Sequence, residues 1–265
     1  MIKKDIPNGP VEINLTGSNG KPMKHIVCFS GGKDSAAMLL RMIEMGMPID
    51  IVMFADTGKE FPQLYAYVDR MEKHILSLGI EFQRVAPKKT WDDWFFGKVT
   101  RGKMMGKQRG WPLMFFHCYW SREAKHKTMD PLCRGNIRYL GFGVNEKKRV
   151  TAARKQEEIW AVPLADWNWT EAMCLEYLEE VGWAEQFHRD FNRTGCFLCP
   201  KQGEKALETL RVKYPEQWKE LMWYAKRTTG DFKPGISYQD LLNMEKGILP
   251  SSKPKDPNQT CMDFE

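Results

Sequence analysis

The run Ile26-Val27-Cys28-Phe29-Ser30-Gly31-Gly32-Lys33-Asp34-Ser35 limits what this chain can fold into more than any other stretch. Its apolar start reads as a buried strand and Ser-Gly-Gly as a tight turn. From Asp34 to Met45, Ala36, Leu39, Leu40 and Ile43 recur at helical spacing, with Arg41 and Glu44 directed away. A strand, a tight turn and a helix start leave backbone N–H groups and the positive end of a helix facing one point, where an anion is favoured. The glycines let the backbone approach closely, Lys33 adds a cation, and Ser30 and Ser35 add hydroxyls. Gly-Gly alone is an ordinary turn, so the whole Ser30–Ser35 string carries the phosphate assignment. It has neither the spacing of a Walker A loop nor that of Gly-x-Gly-x-x-Gly.

Strands and helices then alternate. Ile49 to Ala55 is apolar apart from Asp50, as in a parallel strand covered on both faces. Pro62 to Leu78 reads as a helix with proline in its first turn and Gly79 past its end, and Glu81 to Ala86 reads as a third strand. Right-handed crossovers build from these an α/β fold, a doubly wound, mostly parallel sheet with helices on both faces, whose ligands bind at the carboxyl ends of the strands. Asp56-Thr57-Gly58 ends strand two on the same sheet edge as the Ser-Gly-Gly turn, so two polar turns converge on one crevice.

With 265 residues, 42% of them hydrophobic, the chain can bury one such core and carry an appendage. The expected organisation is a polar arm over 1–24, the α/β domain over 25–200 with an insertion at about 90–116, and a helical C-terminal appendage and tail over 201–265. The appendage helices are expected at Ala206 to Tyr214, Pro215 to Lys226 and Tyr238 to Glu245, packing through Leu207, Leu210, Trp218, Leu221, Met222 and Leu241.

Further strings follow in order: Phe54 to Pro62 (Phe-Ala-Asp-Thr-Gly-Lys-Glu-Phe-Pro), Cys118 to Lys125 with Pro131-Leu132, and Tyr139-Leu140-Gly141 with Glu146 and Arg149. Pro163-Leu164-Ala165-Asp166-Trp167 with Thr170, and Arg193 to Pro200, complete the set. Together they resemble the phosphoadenosine phosphosulfate (PAPS) reductase family of the PP-loop ATP pyrophosphatase superfamily, which is adenine nucleotide alpha hydrolase-like (HUP-like). That family also includes the small subunit of ATP sulfurylase and the DNA phosphorothioation sulfurtransferases.

The resemblance implies that Ser30, Gly31, Gly32, Lys33, Asp34, Ser35, Asp56, Thr57, Gly58 and Gly141 bind a nucleotide. It also implies that Lys33, Asp34 and Arg149 serve catalysis, with ATP and Mg²⁺ as cofactors and Asp34 helping to hold the metal. Arg149 is equally readable as part of a solvated run with Lys147 and Lys148. Trp160, Trp167 and Trp169 read as core or interface aromatics.

PAPS reductases proper generally carry a degenerate first loop, whereas this one is intact, which favours ATP cleavage. An acceptor oxygen would attack the α phosphate, and sulfur, from a donor such as a cysteine desulfurase, would displace AMP. The alternative is a sulfonucleotide reductase releasing sulfite, with Cys261 as nucleophile. However, Gln259-Thr260-Cys261-Met262-Asp263 lacks the Gly and His of the family's tail, and Asp263 and Glu265 oppose thiolate formation. A third reading is a non-catalytic nucleotide- or nucleic-acid-binding module.

Seven cysteines without a signal-like or membrane-length apolar run are expected to be thiols, catalytic groups or metal ligands in a cytoplasmic protein with no membrane partner. Cys196-x-x-Cys199 has the spacing that grips one metal from a tight turn. Cys118 and Cys133 are candidates to complete four thiolates, which suit zinc or a [4Fe-4S] cluster equally. The resemblance favours the cluster. Cys28 and Cys174 read as core residues.

The +6 net charge favours an anionic partner, whether ATP, a sulfonucleotide or nucleic acid. Between about Thr90 and Phe116, Lys98, Arg101, Lys103, Lys107 and Arg109 alternate with Trp91, Trp94, Phe95, Phe96 and Trp111. Such a loop suits a phosphodiester backbone and stacked bases, or else is a solvated insertion with a hydrophobic anchor.

Overall fold

The computed structural model describes residues 16, 20, 22–114, 117–156, 159–228 and 230–248. In chain order the elements begin with β1 (His25–Phe29), α1 (Lys33–Glu44), β2 (Ile51–Ala55), α2 (Pro62–Ser77) and β3 (Glu81–Val85). Next come α3 (Trp91–Phe95), the short strands β4 (Leu113–Met114) and β5 (His117–Cys118), and α4 (Tyr119–Ser121), which a π-helical turn at Arg122–His126 joins to α5 (Lys127–Cys133). Then follow β6 (Ile137–Leu140), α6 (Lys147–Arg154), β7 (Trp160–Ala161), α7 (Pro163–Asp166), α8 (Glu171–Glu180) and α9 (Gln186–Asp190). The last helices are α10 (Glu204–Lys213), α11 (Pro215–Ala225) and α12 (Tyr238–Glu245). The described residues form two compact units, one up to Lys88 together with Trp120–Cys196, the other Lys89–Tyr119 together with those from Phe197 onward.

The first unit holds a five-stranded sheet in the order β3-β2-β1-β6-β7, with every pairing parallel. β2 lies in the interior and all five of its residues are buried, which is why it reads as an unbroken apolar run. β3 is an edge strand and keeps Glu81 and Arg84 exposed; Arg84 reaches Asp69 on α2 at 2.6 Å. β2 and β3 wind away from β1 in one direction, and β6 and β7 in the other. The order therefore reverses at β1, and the crevice between the carboxyl ends of β1 and β6 is the switch point, where such sheets bind ligands.

α1 is buried more completely than a one-sided helix would be, with Ala37, Met38 and Met42 enclosed as well as Ala36, Leu39 and Leu40. The cause is α8, which packs against it. Thr170 caps α8 by accepting from the Met173 N–H, as its place before Glu171 predicts.

The second unit is helical and aromatic. Phe95 lies 5.2 Å from the ring of Trp111 and 5.0 Å from that of Tyr224, and Trp111 lies 4.8 Å from Phe232. The expected packing residues Leu207, Leu210, Trp218, Leu221, Met222 and Leu241 are all buried. Among the described residues no helix is long and apolar enough to cross a membrane.

Candidate functional site

The turn after β1 is built from its own hydroxyls and from a strap that follows α8. Gly31 has φ +76°, the left-handed region open to glycine, which lets the chain reverse into α1 within three residues. The Ser35 hydroxyl donates to the Gly32 carbonyl at 3.0 Å and accepts from the Ser30 N–H at 3.1 Å; the Ser30 and Ser35 hydroxyls are 3.0 Å apart. No side chain caps α1. This leaves its positive end, with one elementary half-charge or so, aimed out of the turn.

The strap is the stretch from α9 to Cys196. The Glu185 N–H donates to Nδ1 of His188, so Nε2 carries the proton and donates to the Gly31 carbonyl at 3.0 Å. Burial holds His188 neutral, pulling its pKa down to about 4. Lys33 Nζ donates to the Asn192 carbonyl at 2.8 Å and pairs with Glu171 at 3.0 Å. A side chain at Gly32 would strike the Thr194 hydroxyl at 2.7 Å. Sequence reasoning missed His188, Asn192 and Thr194 as supports of the turn, because nothing local marks them.

Asp34 sits in the first turn of α1 with Oδ1 buried and without a hydrogen-bond partner. Burial raises its pKa to about 6, with Lys33 opposing the rise and Glu171 and Glu146 adding to it. Gly141, just past β6, lies against this turn: a Cβ there would meet Cα and N of Ser35 at 2.9 Å. The sheet's switch point thus closes on the Ser30–Ser35 turn with no room for a side chain.

The second turn is equally organised. Asp56 accepts from the Gly58 N–H at 2.7 Å and from the Tyr65 hydroxyl at 2.6 Å. Thr57 donates to Glu60 Oε1 at 2.9 Å, while its carbonyl accepts from the Trp120 indole at 3.1 Å. Glu60 is enclosed, with Oε2 unpartnered and Lys125 3.7 Å from Oε1; burial raises its pKa. Its backbone bridges to Cys196. Glu60 lies in the string Phe54 to Pro62, where nothing local marks it as different from an exposed carboxylate, and it is the buried acid of this turn.

Arg149 is half exposed, ion-paired with Glu146 and stacked 3.9 Å over the Phe142 ring. Glu146 in turn accepts from the Gly143 N–H at 3.3 Å, so the pair braces the loop after β6. Lys147, Lys148, Thr151 and Ala152 on α6, with Lys155 just past its end, line a shallow recess of about 400 Å³.

Among the described residues no three His, Cys, Asp or Glu side chains gather as a metal would require. Cys133 is 1% exposed in a core cluster with Ile26, Ile51 and Met53, where it hydrogen bonds with Cys28. That contact and the Arg138 guanidinium pull its pKa below the ordinary thiol value against the opposing effect of burial. Cys133 thus packs in the core of its own unit. Cys196 lies in the first unit, Cys118 and Cys199 in the second. Cys174 is buried as expected, its thiol against Asp34. Cys261 lies outside the described residues.

Mg²⁺ is a different case. It takes one or two carboxylates and completes its shell with water and substrate phosphate, so it needs no all-protein cage. The buried, unpartnered oxygen of Asp34 fits that requirement.

A reversed-order parallel sheet with an uncapped helix behind a glycine turn at its switch point defines an α/β protein with a helix N-terminus at the sheet's crevice. The chain belongs to the phosphoadenosine phosphosulfate reductase domain family, whose model matches residues 24–202. It is 28% identical over 208 residues (74% of this chain, 40% of the relative) to one uncharacterized protein of Methanocaldococcus jannaschii. A second uncharacterized protein of that organism is 28% identical over 211 residues, 75% of this chain and 47% of the relative. The chain therefore spans less than half the length of either.

A phosphoadenosine 5'-phosphosulfate reductase of Alteromonas mediterranea is 32% identical over 91 residues, 34% of this chain and 36% of that protein. Among solved structures, a PAPS reductase from Candida auris in complex with phosphate aligns with TM-score 0.43 at 15% identity, covering 65% of this chain and 80% of its own. The U34-tRNA thiolase NcsA of Methanococcus maripaludis with its [4Fe-4S] cluster aligns with TM-score 0.43 at 13% identity, covering 83% and 78%.

Proposed function

We propose that this protein binds ATP in the crevice between β1 and β6 and uses it to adenylate an acceptor for sulfur transfer. The observation that carries the reading is the complete Ser30–Ser35 turn with Asp34 Oδ1 buried and unpartnered beside Lys33. An oxygen of the acceptor attacks the α phosphate, the bond to the β phosphate breaks, and pyrophosphate leaves on the turn. A sulfur nucleophile then displaces AMP from the acceptor.

The residues act chiefly by position and charge. The turn's N–H groups, the Ser30 and Ser35 hydroxyls and the α1 terminus hold pyrophosphate. Lys33 exchanges Glu171 for phosphate oxygen, and Asp34 would hold Mg²⁺, which would neutralise charge on the phosphates. His188 and Gly141 keep the turn from moving. Asp56, Thr57 and Gly58 line the neighbouring turn.

Incubation with ATP, Mg²⁺ and candidate acceptors is expected to release AMP and pyrophosphate, and Lys33→Ala is expected to lower that release by at least about a hundredfold. Absence of both products, or turnover indifferent to Lys33→Ala, overturns the reading. The similarity to a PAPS reductase keeps a second reading in view, reduction of a sulfonucleotide, which sulfite formation from PAPS with a thioredoxin-like reductant would establish instead.

A further inference from the structure

We propose that the second unit carries a binding surface for a single-stranded polynucleotide, made by the hairpin at 97–109 and the exposed aromatic pair Phe96 and Trp223. This deepens the function above by naming the class of its acceptor, and it rests on that reading to that extent.

The hairpin is ordered by its backbone: Val99 N–H donates to the Lys107 carbonyl at 2.8 Å, and Arg109 N–H to the Gly97 carbonyl at 2.9 Å. It displays Lys98, Arg101, Lys103 and Lys107 to solvent, and the chain contains no acidic residue between Asp93 and Glu123. Its base is fixed, since Trp91, Phe95 and Trp111 on either side are buried in the unit's core. These three serve as the anchor, not as stacking platforms.

Two aromatics next to that core remain outside it. Phe96 is 40% exposed and Trp223 43%, and their rings meet edge to face at 5.8 Å. Arg227 lies 3.8 Å over the Trp223 ring, and Arg109 lies 4.5 Å over that of Trp94. Phe96 adjoins Gly97, where the hairpin begins, so the exposed ring that meets Trp223 and the row of cations follow directly on one another along the chain.

A polyanion with charge alone would need only the lysines. A single strand also presents flat base faces between its phosphates, and stacking on aromatics and guanidinium planes rewards both features together. A duplex hides those faces. RNA and DNA share this chemistry.

The test is fluorescence anisotropy with fluorescein-labelled single-stranded RNA and DNA of mixed sequence, using the full chain without ATP. Single strands are expected to bind more tightly than the matching duplex, and Trp223→Leu and Phe96→Leu, which keep an apolar body but remove the flat face, to weaken binding about tenfold. Arg101→Glu with Lys103→Glu is expected to weaken it further and to flatten its salt dependence. A preference for RNA or for DNA identifies the strand, and either supports the proposal. No binding, equal binding of duplex with the Leu variants unaffected, or equal competition by polyglutamate overturns it. Because ATP is absent, failure here leaves AMP release as an independent readout, and failure of AMP release leaves this binding standing.

Discussion

The Ser30–Ser35 turn and the 97–109 hairpin are both short loops that contain glycine and lysine, and both invite an anion, but they are built in opposite ways. In the first, Lys33 is 8% exposed and already holds Glu171 and the Asn192 carbonyl, and the serine hydroxyls hold each other. In the second, the lysines stand in solvent on a backbone ladder of its own making. A loop that must place a phosphate for bond breaking gains from rigid, pre-oriented groups. A loop that must grip a variable chain gains from exposed charge and flat surfaces.

The largest effect that would break this contrast is expected at Gly141. Gly141→Ala drives a Cβ into the Ser35 backbone, which cannot yield as a flexible side chain can. It is expected to cost about 1–3 kcal/mol of stability. The displaced turn should lower AMP release about a hundredfold, while oligonucleotide binding stays unchanged. A normal rate in this variant would show that the turn tolerates movement.

His188 sharpens the contrast through pH. Its folded pKa is depressed from 6.5 to about 4, with burial the main cause and Lys33, Arg189 and Arg70 adding to it. The stability it contributes is therefore present above pH 6.5 and lost as pH falls through about 4. That amounts to up to about 3 kcal/mol. Thermal melts from pH 7 to 4 should show this acid limb in the native chain and a shallower one in His188→Gln; identical limbs would exclude His188 as the brace.

The smallest effect belongs to the hairpin. Arg101→Glu with Lys103→Glu touches no core residue, so stability should change by less than about 0.5 kcal/mol. A large fall in melting temperature would mean that the hairpin is structural, as the turn is.

Legibility in the sequence followed the range of the interactions. β2 and α2 were readable because burial on both faces and a first-turn proline leave local signatures, at Ile51–Ala55 and Pro62. The apolar face of α1 was readable, but its enclosure by α8 was not, since that packing joins residues far apart in the chain. The cysteines show the same limit. Cys196-x-x-Cys199 has metal-ligand spacing, but spacing could not reveal that Cys133 would be committed to Cys28 and a core cluster.

By itself the sequence determined the strand-turn-helix of Ser30–Ser35, the family, and the basic and aromatic composition of the stretch around 90–116. These depend on backbone chemistry and residue order over a few positions. Only the tertiary structure decided that His188 and Asn192 would hold a turn more than 150 residues earlier. It also decided that Trp91, Phe95 and Trp111 would be buried while Phe96 and Trp223 remain exposed. Which aromatic is an anchor and which is a surface depends on what packs against it, and distant parts of the chain supply that packing.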